Sequence, residues 1–297
     1  MDYKQLKNTG FWDKAWHDDR ESSLFRRGRK TLQDTVNFWE KRADNFQKNV
    51  MGKKGDKRVN RVMRWLERQG VDLAGKDVLD IGAGPGAFTL ALADRCRQVV
   101  ALEPAEMMVK YLESEIAGCG CKNVRIVKST WEEVDLEKES FIGAFDLVFA
   151  SMSPGINNLE TINKALHCSK EYFYYSGFAG KRENNLIKEL WPLLYGETLT
   201  PWPDQVIFVL NLLYTMEFEL NFEIWEERSS KSVTMTEAMA NILEELHISG
   251  KEPPFPEEKL RNFLLTKLRD GVLPQQNRTR LGQLLVRKQN IAKGEEA

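Results

Sequence analysis

The stretch VLDIGAGPGAFTLALA, residues 78 to 93, constrains this chain more than any other. A short apolar run carries Asp80, glycines follow at 82, 84 and 86, and a helical pattern begins at Ala87. Glycine lets a backbone turn into the left-handed region and lets a ligand approach the main chain. The first amides of the following helix point at the same place. A strand, a bare loop and a helix in that order belong to an open parallel sheet, which holds ligands at the carboxyl ends of its strands.

The rest of the chain repeats the rhythm. Apolar runs at 77–82, 98–104, 123–130, 145–153 and 171–180 read as strands, and helical patterns at 87–96, 106–118 and 158–169 separate them. Strands without clean alternation, interleaved with helices, predict a parallel sheet covered on both faces. Before this core, 31–49 and 57–69 read as amphipathic helices, with MGKKGD between them as loop. After residue 183 come helical patterns at 184–196 and 204–216, separated by TLTPWPD, with Asp204 as a helix cap. An alternating strand at 217–230, helices near 234–247 and 256–269, and a last strand in TRLGQLLVRKQ follow. The fold class expected is α/β: a doubly wound, mostly parallel seven-stranded sheet with an antiparallel last strand, N-terminal helices and a helical cap insertion. The divisions expected are a helical lid at 1–56, the ligand-binding core at 57–183, cap insertions with closing strands at 184–290, and a frayed tail at 291–297.

The loop is G-x-G-x-G, whereas the dinucleotide fingerprint is G-x-G-x-x-G. Asp80 beside it suits a ligand bearing an ammonium group better than a diphosphate. Glu103, at the end of the second strand, can accept hydrogen bonds from two ribose hydroxyls. Ser129, Thr130 and Trp131, at the end of the third, offer hydroxyls and a flat wall for an adenine ring. Ammonium, ribose and adenine across three strand ends describe S-adenosylmethionine.

Residues 78–86 resemble motif I of the class I S-adenosylmethionine-dependent methyltransferases. Glu103, the Thr130–Trp131 strand end and FDLVFASMS resemble the subsequent motifs, and FWEKRADNF at 38–46 is similar to the segment that folds over the cofactor. The resemblance covers about residues 36–180 and implies a set of contacts. Trp39 and Arg42 would lie over the cofactor. Asp80, Gly82, Ala83 and Gly84 would meet the methionine end, and Glu103 the ribose, with Pro104 and Met107 lining the pocket. Thr130, Trp131 and Glu132 would take the adenine, with Glu133 as the alternative for its amino group. Ala150, Ser151 and Met152 would lie near the sulfonium. The resemblance implies S-adenosylhomocysteine as product and antiparallel closing strands near 217–228 and 279–288. SMSPGI replaces the Asn/Asp-Pro-Pro-aromatic motif of amine-directed members, which weakens a planar exocyclic amine as acceptor.

The activity expected is transfer of a methyl group to a small-molecule acceptor. No catalytic base declares itself; Tyr174, Tyr175, Glu197 and Asp204 are candidates as residues near the cleft. Three alternatives stand beside this: a nucleic-acid methyltransferase, a non-catalytic cofactor-binding scaffold, and a dinucleotide dehydrogenase, the last opposed by Asp80 and the glycine spacing. The nucleic-acid reading draws on charge. The net charge is −1, yet residues 1–70 hold 18 Lys/Arg against 10 Asp/Glu, a balance of +8, with Trp12, Trp16, Phe25 and Trp39 interleaved. A solvated helical surface explains the same pattern, and the pI of 6.4 opposes a nucleic-acid role. The aromatics Trp12, Trp16, Trp191, Tyr195 and Trp202 are expected to pin segments to the core.

Cys96, Cys119, Cys121 and Cys168 form no zinc-type pairs, and no signal peptide is legible, which reads as a reducing, cytoplasmic setting. The sequon at Asn277 then reads as chance. His17, His167 and His247 have no ligand spacing, so no metal is expected, and His167 suits a helix C-terminus. No apolar run reaches membrane-spanning length. The acceptor's identity and the oligomeric state are not legible.

Overall fold

The computed structural model describes residues 3–22, 31–199, 204–248 and 257–288. Phe25, Trp202 and the tail at 291–297 lie outside the described residues. Helices α1 (Thr9–Ser22), α2 (Leu32–Val50) and α3 (Lys53–Arg68) lead into the sheet. Then come β1 (Asp77–Ile81), α4 (Ala87–Ala93), β2 (Gln98–Leu102), α5 (Glu106–Cys119), β3 (Val124–Val127), β4 (Phe145–Ser151), α6 (Leu159–Cys168) and β5 (Ser169–Asn184). The closing part is α7 (Asn185–Tyr195), α8 (Gln205–Thr215), β6 (Glu219–Val233), α9 (Met235–Ile248), α10 (Glu257–Lys267) and β7 (Leu273–Arg287).

The seven strands lie in the order β3-β2-β1-β4-β5-β7-β6. β1 to β5 run parallel, and β7 is antiparallel to both β5 and β6. The order reverses between β1 and β4, which places a cleft at the ends of those two strands. The expected fold is therefore the observed one.

Alternation along the strands divides the core between the two faces. Leu79, Ile81, Val148, Ala150, Phe173 and Tyr175 share one apolar cluster, which also takes in Trp16 of α1 and Val209 and Leu212 of α8. Val78, Leu147, Phe149, Tyr172 and Tyr174 share the other, with Val62, Met63 and Leu66 of α3. Strands buried on both faces explain the near-continuous apolar runs. A third cluster gathers Leu186, Leu190 and Trp191 of α7 with Ile242 of α9 and Leu260 and Leu264 of α10.

Two local readings change. MGKKGD is mostly helical: α3 begins at Lys53, with Gly52 as its extended N-cap. The sulfurs of Cys119 and Cys121 are bonded as a disulfide, a pairing the sequence analysis did not foresee; Cys96 and Cys168 are free. Thr31 caps α2 through a reciprocal pair with Asp34, and Asp204 caps α8 as expected, accepting from the Ile207 amide at 3.3 Å. Among the described residues no helix is long and apolar enough to cross a membrane, and no group of His, Cys, Asp or Glu could hold a metal ion.

The basic first quarter is partly neutralised within the fold. Arg58 pairs with Glu227 at 3.0 Å, and Arg61 and Arg68 reach Glu223 at 2.8 and 3.6 Å, tying α3 to β6. Arg61 also lies over the Trp225 ring, 4.9 Å from its centroid. Arg64 is exposed and bonds only to its own helix, through the Asn60 carbonyl. Arg61→Ala is therefore expected to lower stability by about 1 kcal/mol and Arg64→Ala by less than about 0.5 kcal/mol in urea unfolding. Equal losses would show that the α3–β6 seam contributes nothing.

Candidate functional site

The glycine loop is shaped by what it must avoid. Gly82, Gly84 and Gly86 all have positive φ, at 76°, 55° and 101°. A Cβ on Gly82 would sit 2.4 Å from Ser153 Oγ, and one on Gly86 2.6 Å from Leu112 Cδ1. The amides of Gly82 and Ala83 donate to the Leu102 carbonyl at 2.8 and 3.1 Å, which fixes the turn against the end of β2.

Glu103 follows directly. Its side chain is buried, and its two oxygens accept from the amides of Gly84 and Ala105, each at 2.9 Å. Asp80 is also buried; one oxygen accepts from the Thr89 hydroxyl at 2.7 Å. Burial, with the Glu103 charge adding to it, pushes the Asp80 carboxyl up to about 7, although the Thr89 bond pulls the other way. Burial likewise raises Glu103 and Glu132 above the usual carboxylate range.

Glu103 and Glu132 border a cavity of about 360 Å³ at the strand ends, a volume typical of small-molecule sites. Gly82, Gly84, Glu103 and Pro104 form its floor on the loop side. Thr130, Trp131 and Glu132 line the β3 end, and Ser151, Met152 and Ser153 the β4 end. Leu32, Thr35, Val36, Trp39 and Phe46 of α2 cover it. α2 is held down from two sides. Glu40 accepts from the Met107 amide at 3.1 Å, Asp44 accepts from the Tyr111 hydroxyl at 2.5 Å, and Asn45 donates to Glu244 of α9 at 3.4 Å.

Of the residues expected at the site, Trp39, Gly82, Gly84, Glu103, Pro104, Thr130, Trp131, Glu132, Ser151 and Met152 line this cavity. Five others do not line it. Arg42 turns away to an ion pair with Glu244 and lies over Phe38. Met107 gives only its amide to Glu40, and the neighbouring Met108 lines the wall instead. Ala150 is wholly buried in β4, because the strand alternates and Ser151 takes the open side. Ala83 packs against Ala101 and Leu112. Asp80 stands behind the loop. Glu132, not Glu133, faces the cavity: Glu133 instead accepts from the Thr130 hydroxyl at 2.8 Å. Trp131 both packs and lines the wall; its indole donates to the Thr161 carbonyl at 3.0 Å.

The candidate bases separate. Tyr174 donates to Gln283 at 3.1 Å on the other face of the sheet, among the α3-side core. Glu197 does not border the cavity. Tyr175 is buried in the core cluster with α1 and α8, and neither it nor Asp204 lines the cavity. His17 is exposed, and His167 stands in the last turn of α6 as expected.

Sequence reasoning missed Arg20, Asn157 and Gln205, which also line the cavity. Arg20 reaches it because α1 docks on α8: Trp16 stacks on Phe208 with centroids 6.1 Å apart, and Arg20 donates to the Asn157 carbonyl. Met152 holds a left-handed φ of 56°, pinned by its amide to the Ser176 carbonyl at 2.9 Å. A non-glycine residue there stores about 1 kcal/mol or more of strain, which is a common mark of functional loops.

The donor set fits an adenosyl ligand with an amino-acid tail. Glu103 offers buried acceptor oxygens at the end of β2. Gly84 leaves bare backbone where a Cβ would fill the space towards Phe46, 3.6 Å away. The Trp39 indole N–H is buried with no partner among the described residues, on the wall that α2 supplies.

Comparison with known proteins agrees. Residues 78–170 match the profile of a methyltransferase domain family. Over 93 residues the chain is 31% identical to a probable cobalt-precorrin-6B C(15)-methyltransferase (decarboxylating) of Methanocaldococcus jannaschii, covering 31% of this chain and 46% of that one. The chain thus spans about half the length of that curated relative. The YcgJ protein of Bacillus subtilis superposes with a TM-score of 0.52 at 14% identity, over 77% of this chain and 98% of that one. Magnesium protoporphyrin IX methyltransferase of Synechocystis, solved with bound SAH, superposes with a TM-score of 0.51 at 13% identity, over 87% of this chain and all of that one. At these identities the two structures speak for the fold.

Proposed function

We propose that the chain is a class I methyltransferase that transfers a methyl group from S-adenosylmethionine to a small-molecule acceptor, a reading supported by the match of residues 78–170 to a methyltransferase domain family. The observation that carries this reading is the cavity between the glycine loop, Glu103 and the cover of α2. Such a space is of the size that small-molecule ligands occupy. The pairing of Arg58, Arg61 and Arg68 with β6 also removes charges that a nucleic-acid surface would use.

Bound there, the cofactor supplies an electrophilic methyl group on a sulfonium. The chain's own part is to hold and to enclose. Glu103 would accept from the ribose hydroxyls. Asp80, ionised behind the glycine loop, would favour the ammonium of the amino-acid tail through its charge. Trp131 and Thr130 bracket the adenine, with Glu132 available to its amino group. Ser151 and Met152 border the reacting end, where the acceptor is placed in line with the methyl, an entropic contribution of several kcal/mol. α2 covers one side of the cavity.

Calorimetric titration with S-adenosylhomocysteine, with NADH as control, tests the reading. We expect micromolar binding, about −8 kcal/mol, for the first ligand alone. NADH binding in its place would return the loop to the dinucleotide class, and silence from both would leave only a scaffold.

A further inference from the structure

The disulfide of Cys119 and Cys121 lies far from the cavity. α5 leaves the carboxyl end of β2 and returns to the amino end of β3, so its last turn stands at the edge of the sheet opposite the cavity, and neither cysteine lines that cavity. The bond joins residues only two positions apart. Cys119 is exposed and Cys121 half-buried. A Cβ added to Gly118 or Gly120 would meet nothing within 4 Å, so the surroundings are open to a small reagent.

The backbone here is held without the bond. Gly120 takes a φ of 69°. Its amide donates to the Ala117 carbonyl at 3.3 Å, and the Cys121 amide donates to the Ile116 carbonyl at 3.2 Å, a closure that ends helices unaided. Asn123 then fixes the approach to β3, its side-chain amide donating to the Ala93 and Cys96 carbonyls at 2.8 and 3.1 Å. Ile116 and Val124, on either side of the pair, pack against Ala83, Ala101 and Leu112. A disulfide across so short a loop also restrains the unfolded chain least. The bond is therefore redundant for the fold. Its surroundings serve both states of Cys119: Sγ lies 3.3 Å from the Cys121 amide, which can donate to a thiolate, and 3.4 Å from the Ile116 carbonyl, which can accept from a thiol.

We propose that Cys119 and Cys121 form a thiol–disulfide exchange site, opened by small thiols and closed by their disulfides while the fold stays intact. It stands apart from the cofactor reading above. The thiolate of a small thiol attacks Cys121 Sγ, the bond between the two cysteines breaks, and Cys119 leaves as a thiolate facing the Cys121 amide. A second small thiolate attacks the outer sulfur of the mixed disulfide at Cys121, and Cys121 leaves in turn. The two small thiols become one disulfide, their two electrons reduce the pair, and their two protons end on Cys119 and Cys121. The reverse sequence closes the bond.

The test equilibrates the full chain in buffers of reduced and oxidised glutathione, alkylates free thiols without unfolding, and weighs the peptide that holds both cysteines. Half-reduction is expected where the ratio of reduced glutathione squared to oxidised glutathione is at least about a hundredfold lower than a structural disulfide needs, and oxidised glutathione restores the bond. Urea midpoints of the two forms should agree within about 0.5 M. Cys96 and Cys168, whose thiols burial pushes up to about 11 and about 12, stay unalkylated in both. In Cys119→Ser, the lone Cys121 keeps glutathione as a mixed disulfide. The parent chain carries at least about tenfold less in the same buffer, because Cys119 expels it. A pair that stays oxidised, or stays reduced, across the whole range would overturn the proposal. So would alkylation of Cys168 on reduction, which would mean that the fold opens with the bond, or as much mixed disulfide in the parent as in the variant.

Discussion

Asp80→Asn is expected to make the ligand-free protein more stable at pH 8 and to weaken S-adenosylhomocysteine binding about a hundredfold. The two effects have one origin. The Asp80 carboxyl is buried, and its folded value of about 7 lies above the ordinary 3.8. Between these values the folded state holds a proton that the unfolded chain has released. Asp80's contribution to stability is therefore greatest below about 4 and is lost as pH rises through 7. At pH 8 the ionised group costs up to roughly 4 kcal/mol relative to a neutral one. Asparagine removes that cost, and its amide oxygen still accepts from Thr89. It has no charge to offer an ammonium. In the parent protein, binding near pH 6.5 should release a proton, seen as an enthalpy that depends on the buffer's ionisation heat. A ligand-free variant that melts below the parent at pH 8 would refute the buried-charge account, and unchanged affinity would remove Asp80 from the site.

Gly82→Ala is the second large effect, and Gly75→Ala is its control. Both glycines hold similar positive φ, 76° and 71°. A methyl group at Gly75 meets nothing within 4 Å, so only the backbone penalty remains, about 1 kcal/mol. At Gly82 the same methyl would sit 2.4 Å from Ser153 Oγ and 3.0 Å from Ser153 Cβ. Either the loop or the β4 end must shift, for a total loss of about 3 kcal/mol and a narrowed cavity. Ser153→Ala in the same chain should recover about 1 kcal/mol, because it removes the nearer atom and leaves the farther one. Urea unfolding of the four proteins gives the answer. Equal losses at 75 and 82 would mean that the loop yields without strain.

The strand ends were legible because parallel strands fix their own geography. Once VLDIGAGPG marks the first strand, the alternation of FDLVFASMS decides which side chains open to the cavity, and Glu103 and Thr130 follow by position. Ala150 was the slip in that logic: the residue one place before the open side chain is buried by the same alternation. The cover was harder to read. On α2 the positions 32, 35, 36, 39 and 46 share the cavity face, whereas Arg42 sits at its edge and is captured by Glu244, which no local pattern announces. Arg20 and Gln205 reach the cavity only through the docking of α1 on α8, a tertiary contact between distant parts of the chain. The start of α3 was missed because Gly52 and Gly55 look like loop residues, although the strongly two-sided pattern beyond them is enough to carry the helix.

The third apolar cluster has a consequence for how this protein can vary. Leu190, Trp191, Ile242, Leu260 and Leu264 pack among themselves and share no member with the clusters that flank the glycine loop. Changes within α7, α9 and α10 should therefore add to, rather than multiply with, changes around β1 and β4. A lineage can rework that outer group of helices by many small steps while the adenosyl end keeps its shape. The group is joined to the sheet at the far ends of β6 and β7, where Val233 and Leu273 enter its core, and to α2 by contacts from Arg42 and Asn45 to Glu244.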